Sequence, residues 1–166
     1  MSLLLAAVGA MVAGLLELAI GSYVRVGDAQ PHLVLVLGVI WTVASGIDAG
    51  LVWAFAGGLL LDILAPRPLG STAFALLVAL SIAAVASRPL QRLRPIAPVG
   101  LVPALSLVYS VLLLVTFGAL RPPISAPDPM TTLMPGIVYD TVIAVLLGPL
   151  VVSIHDRTGD QERVTW

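Results

Sequence analysis

Apolar runs about one membrane thickness long alternate along the chain with short breaks rich in arginine, acid and proline. Backbone amides in lipid must be satisfied within the segment itself, which a helix does best, so each run predicts a transmembrane helix. Six follow, at about residues 2–24, 32–46, 51–65, 69–87, 99–120 and 133–154. Arg25, Gly27, Asp28 and Pro31 end the first, and Asp48 is the only charge between the second and third. Pro66-Arg67-Pro68 precedes the fourth, and Arg88, Pro89, Arg92, Arg94 and Pro95 form the clearest loop. A Pro-rich segment from Arg121 to Pro129 leads to the sixth, and a polar tail from His155 is expected to fray. The main competitor is a five-helix arrangement in which residues 32–65 make one long helix or a re-entrant hairpin.

Composition narrows the class. With 59% hydrophobic and 10% charged residues, and a mean hydropathy of +1.08, the chain cannot be an ordinary soluble domain, where roughly a quarter of residues are charged. Six spans use nearly all of the 166 residues, which leaves no room for a soluble domain and predicts a single all-α transmembrane domain. There is no cysteine, and the two histidines have no ligand-like spacing, so thiol, disulfide and metal chemistry drop out and no cofactor is expected. A net charge of −1 argues against a nucleic-acid surface. The first apolar run lacks a positive leader and a cleavage site, so it is expected to be a retained helix. Cytoplasmic loops hold the positive excess. Placing both termini in the cytoplasm puts Arg88, Arg92, Arg94, Arg157 and Arg163 inside and Arg25, Arg67 and Arg121 outside.

A charge inside the hydrocarbon costs roughly 2.5–3.5 kcal/mol, so each needs a partner or a purpose. Glu17, Asp62 and Asp140 qualify, and in this topology all three fall in the outer half with the outer arginines bordering them. We therefore expect an outer polar cluster of Glu17, Asp62, Arg67 and Asp140, either structural or partner-binding. Asp62 stands at a helix C-terminus, where the macrodipole disfavours a carboxylate. Arg67, another outer arginine, the free amides near Leu69, Gly70 and Ser71, or interfacial water would have to offset it. Glu17 and Asp140 lie deeper, which favours intramembrane pairing; a proton relay would need polar groups reaching both faces, and the inner half has almost none. His32 and His155 read as interfacial caps or headgroup contacts. The loop with Arg88, Arg92 and Arg94 is first a topological signal, with membrane lipid or a cytoplasmic protein as further contacts. Small residues crowd helix 1 (Ala6, Ala7, Gly9, Ala10, Ala13, Gly14) and Gly57-Gly58, making faces that admit a close helix. Neither a hydrolase nor a nucleotide-binding motif is present.

The stretch from Ala54 to Gly70 resembles the central pattern of the MreD family, G-F-x-x-G-x-x-x-D followed by seven residues and Gly. Gly58, Asp62, Leu69 and Gly70 fit it, and Pro31-His32-Leu33 opening an apolar run to Trp41 is similar to the family's start of helix 2. Ala54 stands where Gly is common, and Pro66-Arg67-Pro68 fills a turn that is often Gly- or Ser-rich. The resemblance implies a non-enzymatic subunit of the bacterial elongasome in the cytoplasmic membrane. It implies binding to the bitopic protein MreC and, through the complex, support of RodA, its class B penicillin-binding partner and MreB in lateral peptidoglycan synthesis and rod shape. It also implies a helical fold like that of the substrate-binding subunits of energy-coupling-factor transporters. That kinship supplies the rival reading, a small-molecule-binding subunit, against which stand only three each of Trp, Tyr and Phe for a pocket.

The topology is open to test. Reporter domains active only in the cytoplasm, fused to either end, should both be active; one silent terminus would favour five spans.

Overall fold

The computed structural model describes residues 2–21, 23, 30–65, 67–90, 96–120 and 129–162. Among these, regular structure is all helical: α1 (Ser2–Gly21), α2 (Leu33–Ser45), α3 (Ile47–Leu64), α4 (Ser71–Ala86), α5 (Ala97–Leu120) and α6 (Pro129–Glu162). Four stretches are long and apolar enough to cross a membrane: Leu3–Gly21, Ile47–Leu64, Ala97–Ala119 and Leu133–Ser153. α2 and α4 are apolar but have only 13 and 16 residues. At 1.5 Å per residue they rise about 20 and 24 Å, short of the ~30 Å hydrocarbon core.

Between the second and third apolar runs there is a helix break but almost no loop. Gly46 alone joins α2 to α3, at φ 91, a left-handed value that glycine adopts freely. Asp48 does not sit in a turn; it lies in the first turn of α3, where a helix favours an acid. Thr42 lies against Gly50, Gly38 against Trp53 and Val34 against Gly57, so α2 and α3 run antiparallel. α3 continues seven residues beyond Gly57 and α2 only one beyond Val34, which recesses the start of α2 by about 9 Å from the end of α3. α6 is longer than expected at both ends: it passes through Pro135 and Pro149, and the tail expected to fray is helical as far as Glu162.

α2 is the axis of the bundle. It packs against all five other helices, and the pairs α1–α3, α3–α4, α4–α5 and α5–α6 pack on one another around it. Its burial records this position: Val34, Leu35, Val36, Gly38, Val39, Ile40, Thr42, Val43 and Ala44 are buried, and only the four-residue stripe Leu33, Leu37, Trp41 and Ser45 is half-buried.

Small residues set the spacing. A Cβ at Gly58 would lie 2.4 Å from Ala73 Cα, so the α3 and α4 backbones are in direct contact there. Trp53 fills the space left by Gly9 of α1 and Gly38 of α2, and donates from Nε1 to the Val34 carbonyl at 2.9 Å. Gly14 of α1 receives Leu60 of α3. The small residues of α1 are therefore enclosed within the bundle and are not an external docking face, whereas Leu4, Leu5, Leu15 and Leu16 point outward. Packing on the chain's own α3 won this face because large Trp and Leu side chains needed the vacated volume.

Adding a methyl group at Gly58 forces two backbones apart, and overpacking of this kind costs about 1–3 kcal/mol. Gly58→Ala should lower the melting temperature in detergent, whereas Gly100→Ala, with open space around it, should leave it unchanged or raise it.

Candidate functional site

The first amides of a helix have no intrahelical acceptor. In a helix shorter than the hydrocarbon core is thick, they need an acceptor from the protein. The three acids of the apolar runs meet this need, each 3% exposed or less.

Asp62, on the last turn of α3, serves α4. Its Oδ2 accepts from the Gly70 N–H at 2.9 Å and the Ala73 N–H at 3.2 Å; its Oδ1 accepts from the Thr72 N–H at 3.0 Å and the Ser71 hydroxyl at 3.3 Å. The remaining amide of this turn, Ser71 N–H, donates to the Pro68 carbonyl at 3.2 Å. Gly70, at φ 88, turns the chain into α4. The unfavourable field at the end of α3 is thus offset by the favourable one at the start of α4. Gly58, one turn before Asp62, provides the close approach that brings the carboxylate to those amides. Leu69 is 75% exposed and takes no part.

The start of α2 receives two carboxylates. Glu17 Oε2 of α1 accepts from the Val34 N–H at 2.9 Å. Asp140 of α6 accepts from the His32 N–H at 2.8 Å on Oδ1, and lies 2.9 Å from His32 Nδ1 on Oδ2, which also accepts from the Ser106 hydroxyl of α5. Buried Pro31 fixes the approach of the chain to this point. Glu17 Oε1 is buried and has no hydrogen-bond partner among the described residues.

Two residues connect these centres. Arg67, before α4, donates to the Thr72 hydroxyl at 3.3 Å and approaches the hydroxyl of buried Tyr109 on α5. The Tyr109 ring meets His32 edge-on, with centroids 5.2 Å apart at 71°. Arg67 is also within electrostatic range of Glu17 and His32. Glu17, Asp62, Arg67 and Asp140 therefore occupy one end of the bundle, tied through Thr72, Ser106, Tyr109 and His32. The sequence reading did not single out Thr72, Ser106 or Tyr109. A usable signal was present, since Ser106, Tyr109 and Ser110 are polar positions three to four residues apart in an otherwise apolar helix.

Arg25 and Arg121 lie outside the described residues, as do Arg92 and Arg94 of the basic loop; Arg88 is exposed just beyond α4. His155 lies on the last turns of α6.

Chemically, the arrangement holds helices together. The hydroxyls of Thr42, Ser81, Thr116 and Thr141 each donate to the carbonyl four residues earlier in their own helix, so they do not extend the network toward the opposite end. Among the described residues no three His, Asp or Glu side chains converge as metal ligands. Residues 2–156, nearly the whole chain, match the family model described as rod shape-determining protein MreD. No curated protein and no solved structure matches the chain.

Asp62→Ala would leave the buried Thr72 and Ala73 N–H groups without an acceptor, at about 1–3 kcal/mol each, and free that of Gly70 as well. We expect that variant not to accumulate as a monodisperse protein in detergent. Asp62→Asn keeps a carbonyl acceptor and should fold with a lowered melting temperature. Equal behaviour of the two would show that the carboxylate is not what holds α4.

Proposed function

The chain belongs to the MreD family of rod shape-determining proteins, and from that premise we propose that this multi-pass membrane protein is a non-enzymatic scaffold of the bacterial elongasome. It binds MreC and through it supports RodA, the class B penicillin-binding protein and MreB in lateral peptidoglycan synthesis. The observation that carries this reading is the use of the buried acids: each caps or anchors the start of a short helix, which gives a stiff bundle whose outward surfaces are aliphatic side chains. Such a surface suits recognition of another transmembrane helix by packing. The membrane is the bacterial cytoplasmic membrane, both termini are cytoplasmic, the polar cluster faces outward, and Arg88, Arg92 and Arg94 form the cytoplasmic basic loop. The kinship with the substrate-binding subunits of energy-coupling-factor transporters is one of fold on this reading, not of transport.

Co-expression with MreC from the same organism, followed by purification in mild detergent, tests the proposal. A stoichiometric complex is expected. Recovery of the chain alone with a bound small molecule would replace the scaffold by the transporter-subunit reading. Neutralising the outer cluster with Asp62→Asn and Arg67→Gln should reduce recovery of the complex more than membrane insertion; unchanged recovery of a folded variant would remove the cluster from partner binding.

A further inference from the structure

We propose that the cavity between the α2–α3 elbow and the end of α4 is a site for the phosphate of an anionic phospholipid, held by Arg88. The proposal concerns this chain by itself and does not depend on the scaffold reading. The cavity measures about 180 Å³ and lies at the end of the bundle opposite the carboxylate cluster. Thr42, Gly46 and Ile47 line it on the elbow side, and Ala84, Ser87 and Arg88 on the α4 side. Gly46 alone turns α2 into α3, and a Cβ built there would meet nothing within 4 Å, so the elbow leaves the space beside it open.

The lining offers one strong donor. Arg67 donates to Thr72, whereas Arg88 forms no ion pair or side-chain hydrogen bond with any described residue. Its guanidinium presents five N–H groups in a planar fork that matches a phosphate. The Thr42 and Ser87 hydroxyls are already spent on the Gly38 and Ala84 carbonyls, at 2.7 and 3.1 Å. The earliest bond of α3 runs from the Gly50 N–H to the Gly46 carbonyl, so the Ile47 N–H beside the cavity has no intrahelical acceptor and can assist the arginine. The surrounding charge has one sign: residues 87–98 hold Arg88, Arg92 and Arg94 and no acid. Asp48 is exposed and does not line the cavity.

The surroundings select a lipid over a free phosphate. Ile82 and Val85 lie one turn apart on α4, and both are exposed. The Arg88 N–H donates to the Val85 carbonyl at 3.3 Å, which sets the arginine directly after this apolar pair. Ile47, on the elbow side, lines the cavity and is exposed as well. A phosphate at Arg88 therefore continues into acyl chains laid along Val85 and Ile82 toward the middle of the bilayer. With both termini cytoplasmic, the site faces the inner leaflet, where basic residues meet anionic headgroups.

The test uses the full chain in a neutral detergent, given short-chain phosphatidylglycerol, short-chain phosphatidylcholine or inorganic phosphate, with native mass spectrometry and thermal melting as readouts. Phosphatidylglycerol should be retained at one molecule per chain and raise the melting temperature, and the other two should do neither. Arg88→Gln should cut retention about tenfold, the loss expected when one charge-assisted hydrogen bond goes. Ser87→Leu fills the cavity, keeps every charge and should do the same, whereas Arg157→Gln, which removes a charge from α6, should bind as before. Arg88 is exposed and Ser87 half-buried, so both variants should fold. Equal retention of the two lipids, or full retention by both Arg88→Gln and Ser87→Leu, would overturn the site. Loss with Arg88→Gln but not with Ser87→Leu would assign the lipid to surface charge and overturn the cavity as its seat. Equal stabilisation by inorganic phosphate would make the ligand a free phosphate and overturn the lipid assignment.

Discussion

The fold depends on how α2 and α4 begin. Both are shorter than the hydrocarbon core is thick, and an amide without an acceptor in an apolar surrounding is costly. The chain answers with buried carboxylates from other helices, Glu17 and Asp140 for α2 and Asp62 for α4. Each acid would be expensive alone, and each set of amides would be too. Placed together they offset one another and fix which helices are neighbours. Hydrophobic association cannot do this in lipid, because every helix there is equally apolar.

Such fixing suits a protein whose product is position. The acceptors on Asp62 and Asp140 are taken up by donors within the chain, and the hydroxyls elsewhere bond to their own helices, so the polar groups hold the bundle in one arrangement. Glycines contribute in the same sense. At Gly58 and Gly9 the helices approach until the backbone or a tryptophan ring fills the space, which leaves little freedom to slide.

The apolar runs were legible because hydropathy alone marks them. The start of α3 was not, since Asp48 reads equally as a break or as an acid in a first turn. Asp62 was legible as a conflict: a carboxylate at the wrong end of a helix demands compensation, and the amides near Gly70 were among the candidates. The structure shows those amides bonded to it and the carboxylate buried, not reaching for water. The junction formed by Ser106, Tyr109 and His32 was less readable, because isolated polar residues in separate helices carry no mark of who meets whom. The central place of α2 was unreadable for a related reason: a helix apolar on every side looks the same whether lipid or protein surrounds it.

The order in which the chain is synthesised meets this architecture awkwardly. With Gly46 alone between them, α2 and α3 have no linker that would let one settle in the membrane before the other, so they enter as a pair. The pair arrives with Glu17 already made, but Asp140 belongs to α6, which is made only after α3, α4 and α5. Until then the axis of the bundle keeps an incompletely satisfied start inside lipid. The centre of the molecule is thus finished only when α6 arrives, and a chain stalled before it keeps a polar defect at its core.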